Sequence, residues 1–152
     1  MASVRAAGEV RGLLQEVYLQ DLVLALFGVY ASRLRDPDGA RLIGNYLRAE
    51  ADRRGRIESC LQARGAGPSR GARSLFAAAG GLYGRLTSWL GTRVMLRIAL
   101  SASRRASRRA CALLGDPQDP EMVYLATLRA RNEGDLRDDL RQHLIDTSRR
   151  RP

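Results

Sequence analysis

The sequence predicts an all-α chain folded as a four-helix bundle with a long middle crossover. Apolar residues recur at helical spacing in four long segments, Asp-Pro pairs punctuate two of the junctions, and no alternating strand pattern appears. The 152 residues suit one domain, and an apolar content of 45% can supply its core. The domain is expected over residues 1–146, with a basic tail over 147–152.

The first helix is expected from about Ala7 to Leu34, with Leu13, Val17, Val23, Phe27, Tyr30 and Leu34 along one face. Asp36-Pro37-Asp38-Gly39 ends it and begins the second: Asp36 can cap, and Pro37 suits the first helical position. The second helix runs to about Leu61 and sets Ile43, Tyr46, Leu47, Glu50, Arg53, Ile57 and Cys60 near one face. Residues 62–73 contain Gly65, Gly67, Pro68 and Gly71 and read as a loop. The third pattern runs from about Leu75 to Leu114, with Gly80, Gly81, Gly84 and Gly91 as places where it can be interrupted. Gly115 to Pro120 is the second strong break, where Asp119 caps, Pro120 starts and Glu121 favours the positive end of the helix dipole. The fourth helix runs to about Asp146, with Leu125, Leu128, Glu133, Leu136, Leu140 and Leu144 facing inward.

Charge narrows the partners. All 26 Lys+Arg residues are Arg, and the net charge is +10. Between Glu58 and Asp116 there are ten Arg and no acid, while Arg and acidic residues balance elsewhere. Such a block fits an anionic membrane surface or an acidic protein partner. Nucleic acid is disfavoured: Arg104-Arg105 and Arg108-Arg109 accompany no binding motif, and only 5% of residues are aromatic. Read as one helix, the third pattern places Arg85, Arg93, Arg97, Arg104 and Arg108 in one sector with Leu86, Trp89, Leu90, Leu96 and Leu100. Met95, Ala99 and Ala102 fall on the opposite, packing side. Arg beside Leu and Trp suits an interfacial helix, in which Arg reaches out to headgroups.

Other chemistry is sparse. One His and two Cys exclude a His- or Cys-rich zinc site, and Cys60 and Cys111 are expected to be reduced. No nucleophile with an adjacent base and no phosphate-cradling Gly loop can be recognised. Tyr18, Tyr30, Tyr46, Tyr83 and Tyr124 are expected in the core or at its boundary, and His143 at the surface or a helix cap. Met1 to Gly12 lacks a secretory leader pattern, and uncharged stretches such as Ser74 to Gly84 fall short of the roughly 20 residues of a membrane span. The expected location is cytoplasmic, peripheral at a membrane.

Ala79-Gly80-Gly81-Leu82-Tyr83-Gly84-Arg85-Leu86-Thr87-Ser88-Trp89-Leu90-Gly91 resembles the AGxxxGxxTxxLG stretch of the demethoxyubiquinone hydroxylases, a ferritin-like family of ubiquinone biosynthesis. The order of Tyr30, Glu50, this stretch and Glu133 is also similar, so the resemblance covers most of the chain. It implies a ferritin-like bundle with metal ligands on four helices. It places the former ligand positions at Val23, Glu50, Arg53, Ser103, Glu133 and Leu136. Only the two Glu are carboxylates; both His partners are lost, one to Arg53 and one to Leu136. A di-iron site needs several carboxylates and imidazoles.

The expectation is therefore a non-catalytic binding or scaffold protein without cofactor, keeping the bundle and a lipid- or quinone-sized cavity. It would present Arg85, Trp89, Arg93, Arg97, Arg104 and Arg108 to its partner. Inside, Arg53 is expected to replace the metal charge and to lock Glu50 to Glu133. Ferritin-like bundles often pair, so self-association fits as well. An alternative is a divergent iron or manganese hydroxylase with displaced ligands among Glu16, Asp21, Asp135 and Asp139. A basic nucleic-acid-associated bundle is a third reading.

Overall fold

A computed structural model describes residues 2–114 and 119–149. Every regular element among them is helical: α1 (Ala2–Arg33), α2 (Pro37–Ala63), α3 (Arg70–Thr87), a 3-10 turn (Ser88–Leu90), α4 (Thr92–Leu114) and α5 (Pro120–Arg149).

The helix starts follow local chemistry. Asp36 caps α2 by accepting from the Asp38 amide, with Pro37 in the first turn. Asp119 accepts from the Glu121 amide at 2.9 Å and the Met122 amide at 3.4 Å, and Pro120 leads α5. Both caps satisfy amides that lack an intrahelical acceptor. Ser69 caps α3 through the Ala72 amide, and its own amide donates to the Tyr18 hydroxyl at 3.0 Å.

Four helices form a closed ring in which α1 packs on α2 and α4, and α5 packs on the same two. At one end, Arg64 at the close of α2 pairs with Glu9 of α1 and with Asp119 and Glu121 at the start of α5. At the other end, Arg93 of α4 meets Ser148 of α5, and His143 of α5 meets the cap Asp36 of α2. Thus α1 and α5 run one way, and α2 and α4 run the other. Helix α3 makes this possible. It carries the chain back along the outside of α1, with Tyr18 against Phe76 near its start and Tyr30 hydrogen-bonded to Thr87 at its end. The backbones approach closely where Gly80 faces the Leu22 carbonyl and Gly84 faces Leu26 and Val29.

The third sequence pattern, Leu75 to Leu114, is interrupted at one of the four glycines where the sequence allows it and is two helices. The 3-10 turn and Gly91, with φ of 91° in the left-handed region, break it, and α3 starts earlier, at Arg70. The phase of the presumed continuous face is lost with it. Leu96 was assigned to that outer face but is buried against α2. Helix α5 also extends past Asp146, so Thr147, Ser148 and Arg149 are helical and not a tail. Gly115 to Gln118 and Arg150 to Pro152 lie outside the described residues.

The core has two parts. Val23, Phe27, Tyr30, Ile43, Tyr46, Met95, Ala99, Leu136 and Leu140 fill one. Leu13, Val17, Ile57, Cys60, Leu61, Met122 and Leu125 fill the other. A polar layer runs through the bundle alongside them. Tyr83 and Tyr124 depart from the expected boundary position and are about half exposed, at 50% and 48%.

Candidate functional site: a buried arginine–carboxylate network

The six positions at which the resemblance places metal ligands all face the interior: Val23, Glu50, Arg53, Ser103, Glu133 and Leu136 are at most 8% exposed. They come from α1, α2, α4 and α5. Helical spacing brings this about, since Glu50 and Arg53 sit three apart on α2 and Glu133 and Leu136 three apart on α5.

Glu50 is the hub. Its carboxylate accepts from Gln20 Nε2 at 3.0 Å, Asn132 Nδ2 at 2.8 Å and Arg53 Nη1 at 3.4 Å. It also pairs with Arg129 of α5. Arg53 extends the network. It donates from Nη2 to Glu16 Oε1 at 2.5 Å and from Nε to the Leu125 carbonyl at 3.0 Å. One guanidinium thereby ties α2 to α1 and to α5. Arg129 also stacks over Tyr46, its guanidinium carbon 5.9 Å from the ring centroid.

The two carboxylates and two guanidiniums balance, and all four side chains are essentially withdrawn from water. Such a set is stable only as a whole, because removing one partner leaves a buried charge uncompensated. The carboxyls are treated differently by their surroundings. Burial raises the Glu50 carboxyl, but Arg129, Arg53, Asn132 and Gln20 more than reverse this and hold it below its ordinary value. Burial dominates at Glu16, which stands above its ordinary value despite Arg53 and Arg129. Burial also pushes the Tyr46 hydroxyl up to about 12, against the pull of Arg129.

The expected lock is corrected in one member. Arg53 pairs with Glu50 and Glu16, whereas Glu133 faces Arg104 of α4 at 4.0 Å. The second cation between α2 and α5 is Arg129, which the sequence reading missed. Its signal was present, since Arg129 lies four residues from both Leu125 and Glu133 on the inward face. Gln20 and Asn132, which both donate to Glu50, were missed as well.

The displaced-ligand residues do not converge. Glu16 is in the network, Asp21 pairs with Arg54 and Arg73 at the edge of the bundle, and Asp135 and Asp139 are exposed on α5. Among the described residues, no group of three or more His, Cys, Asp or Glu is placed to share a metal ion. Cys60 is a buried thiol whose ionisation burial pushes up to about 11, and Cys111 is partly buried; both are free.

The outer surface of α3 and the following turn is strongly apolar. Leu75, Leu82, Leu86 and Leu90 are each at least 60% exposed, and Trp89 is 84% exposed. Arg85, Arg93, Arg97 and Arg108 are also exposed, and Arg104 is partly so. Among the described residues, α1 is the one helix long and apolar enough to cross a membrane, yet half of that stretch is buried inside the bundle.

No protein family, curated protein or solved structure matches this chain.

Proposed function

We propose that this chain is a ferritin-like bundle that has exchanged a metal site for an arginine–carboxylate network and serves as a non-catalytic binding or scaffold protein at an anionic membrane surface. Helix directions support the ferritin-like reading: two antiparallel pairs are joined by one long crossover, and that crossover is α3. The resemblance of Ala79 to Gly91 to the demethoxyubiquinone hydroxylases falls on this crossover and supports the same lineage.

The observation that carries the non-catalytic reading is the pairing of Arg53 and Arg129 with Glu16 and Glu50. Two cations already neutralise those carboxylates, α2 carries no His, and the single His of α5, His143, is engaged by Asp36 at the end of the bundle. This donor set does not fit a di-iron centre, which needs anionic and imidazole ligands free to bind metal.

The apolar ridge on α3 supports the membrane as partner. Monomeric proteins rarely leave several large apolar residues exposed side by side, and this ridge lies in a segment with Arg and no acid. Co-sedimentation with vesicles of phosphatidylcholine and phosphatidylglycerol tests it. The protein should pellet with the anionic vesicles at low salt, pellet poorly with pure phosphatidylcholine, and be released by the pair Leu86→Ser and Trp89→Ser. Equal behaviour with both vesicles, or no loss in that variant, would overturn the membrane reading.

A further inference from the structure

Helices α3 and α4 each pack on α1, and a cleft runs between them. Leu19, Leu22, Val23 and Leu26 of α1 form its floor. Tyr83 of α3 and Ile98, Ala102 and Ala106 of α4 form its walls, around a volume of about 350 Å³. A second hollow of about 240 Å³, lined by Gln15, Tyr18 and Phe76, adjoins it through the shared residues Leu19 and Arg109. Together they fall in the size range of small-molecule sites.

The polar groups are unevenly placed. Arg105 and Arg109 line the cleft, both are exposed, and neither has an acidic partner among the described residues. They lie one turn apart on α4. Because α4 runs against α1, both sit toward the Leu19 end, while Ile98 lies toward Leu26. The cleft thus has a cationic end and an apolar trough. From Leu19 to Leu26 the trough is roughly 10 Å long at helical rise, about half the reach of an extended long acyl chain.

We propose that this cleft binds a single-chain amphiphile with an anionic head, such as a fatty acid, with Arg105 and Arg109 holding the head and the Leu19–Leu26 trough holding part of the chain. A neutral quinone head would offer the guanidiniums only uncharged carbonyl acceptors, whereas a carboxylate makes charge-assisted hydrogen bonds with them. The inference stands apart from membrane docking, because the ridge residues Leu75, Leu82, Leu86, Trp89 and Leu90 do not line the cleft.

Fluorescence titration of the full chain with parinaric acid, and with its methyl ester as the neutral control, tests this. The acid should saturate at one per chain and bind more tightly than the ester. Arg105→Gln and Arg109→Gln change exposed residues and should each weaken the acid by about tenfold without moving the ester. The Leu86→Ser and Trp89→Ser variant should bind the acid as the parent does, which separates this cleft from the ridge. No saturable binding of the acid, or an affinity indifferent to both Arg substitutions, would overturn the proposal.

Discussion

The guanidinium of Arg53 on α2 donates to Glu16 on α1 at 2.5 Å, and neither side chain reaches water. Arg53→Met therefore strands Glu16 and removes one of the partners of Glu50. Breaking a buried pair from one side costs about 3–5 kcal/mol, to be read from urea unfolding. Replacing both partners with apolar residues leaves no orphan charge. The double variant Arg53→Met with Glu16→Leu should thus recover much of that loss.

Arg129 and Glu50 join α5 to α2 within the same layer. A double-mutant cycle with Arg129→Met and Glu50→Gln should give a coupling of about 1–3 kcal/mol. Strictly additive losses would mean that the contact contributes nothing specific.

The two carboxyls set opposite pH dependences. Glu50 is held below its ordinary value, so its stabilisation is present above the unfolded pKa and is lost as pH falls through the folded one. Glu16 is raised above 4.5, so the folded state keeps its proton longer than the unfolded state. Stability linked to Glu16 is full below that value and declines as pH rises through the folded pKa. Denaturation across the acid to neutral range checks both: Glu16→Gln should flatten the decline on the rising side, and Glu50→Gln the acid limb.

Gly80 and Gly81 are neighbours with opposite demands. A Cβ at Gly80 would meet the Leu22 carbonyl oxygen at 2.1 Å, while one at Gly81 meets nothing within 4 Å. Gly80→Ala should cost about 1–3 kcal/mol through forced separation of α3 from α1. Gly81→Ala should be neutral or stabilising by up to about 1 kcal/mol, since Ala favours helix. Thermal unfolding of the two variants makes the comparison.

Sequence periodicity locates the inward faces well. Leu13, Val17, Val23, Phe27, Tyr30, Ile43, Tyr46, Glu50, Arg53 and Ile57 are all buried, as their spacing requires. Asp36 and Asp119 announce their helices because each places a carboxylate beside uncompensated amides. The division of α3 from α4 is less legible. Gly91 is one of several glycines in that segment, and only its positive φ distinguishes it from Gly80 and Gly84, which serve close packing. Arg129 was overlooked because a lone Arg on a helix is ordinarily solvated; its burial follows from the tertiary pairing with Glu50. For the same reason spacing could not tell that Arg53 turns toward Glu16 and leaves Glu133 to Arg104.

Element-resolved mass spectrometry of the full chain, purified from cells grown with added iron and manganese, bears most directly on the proposed exchange of metal for guanidinium. The account predicts only traces of either metal in the parent protein, far below one ion per chain. Iron or manganese retained in whole-number proportion to the polypeptide would contradict it.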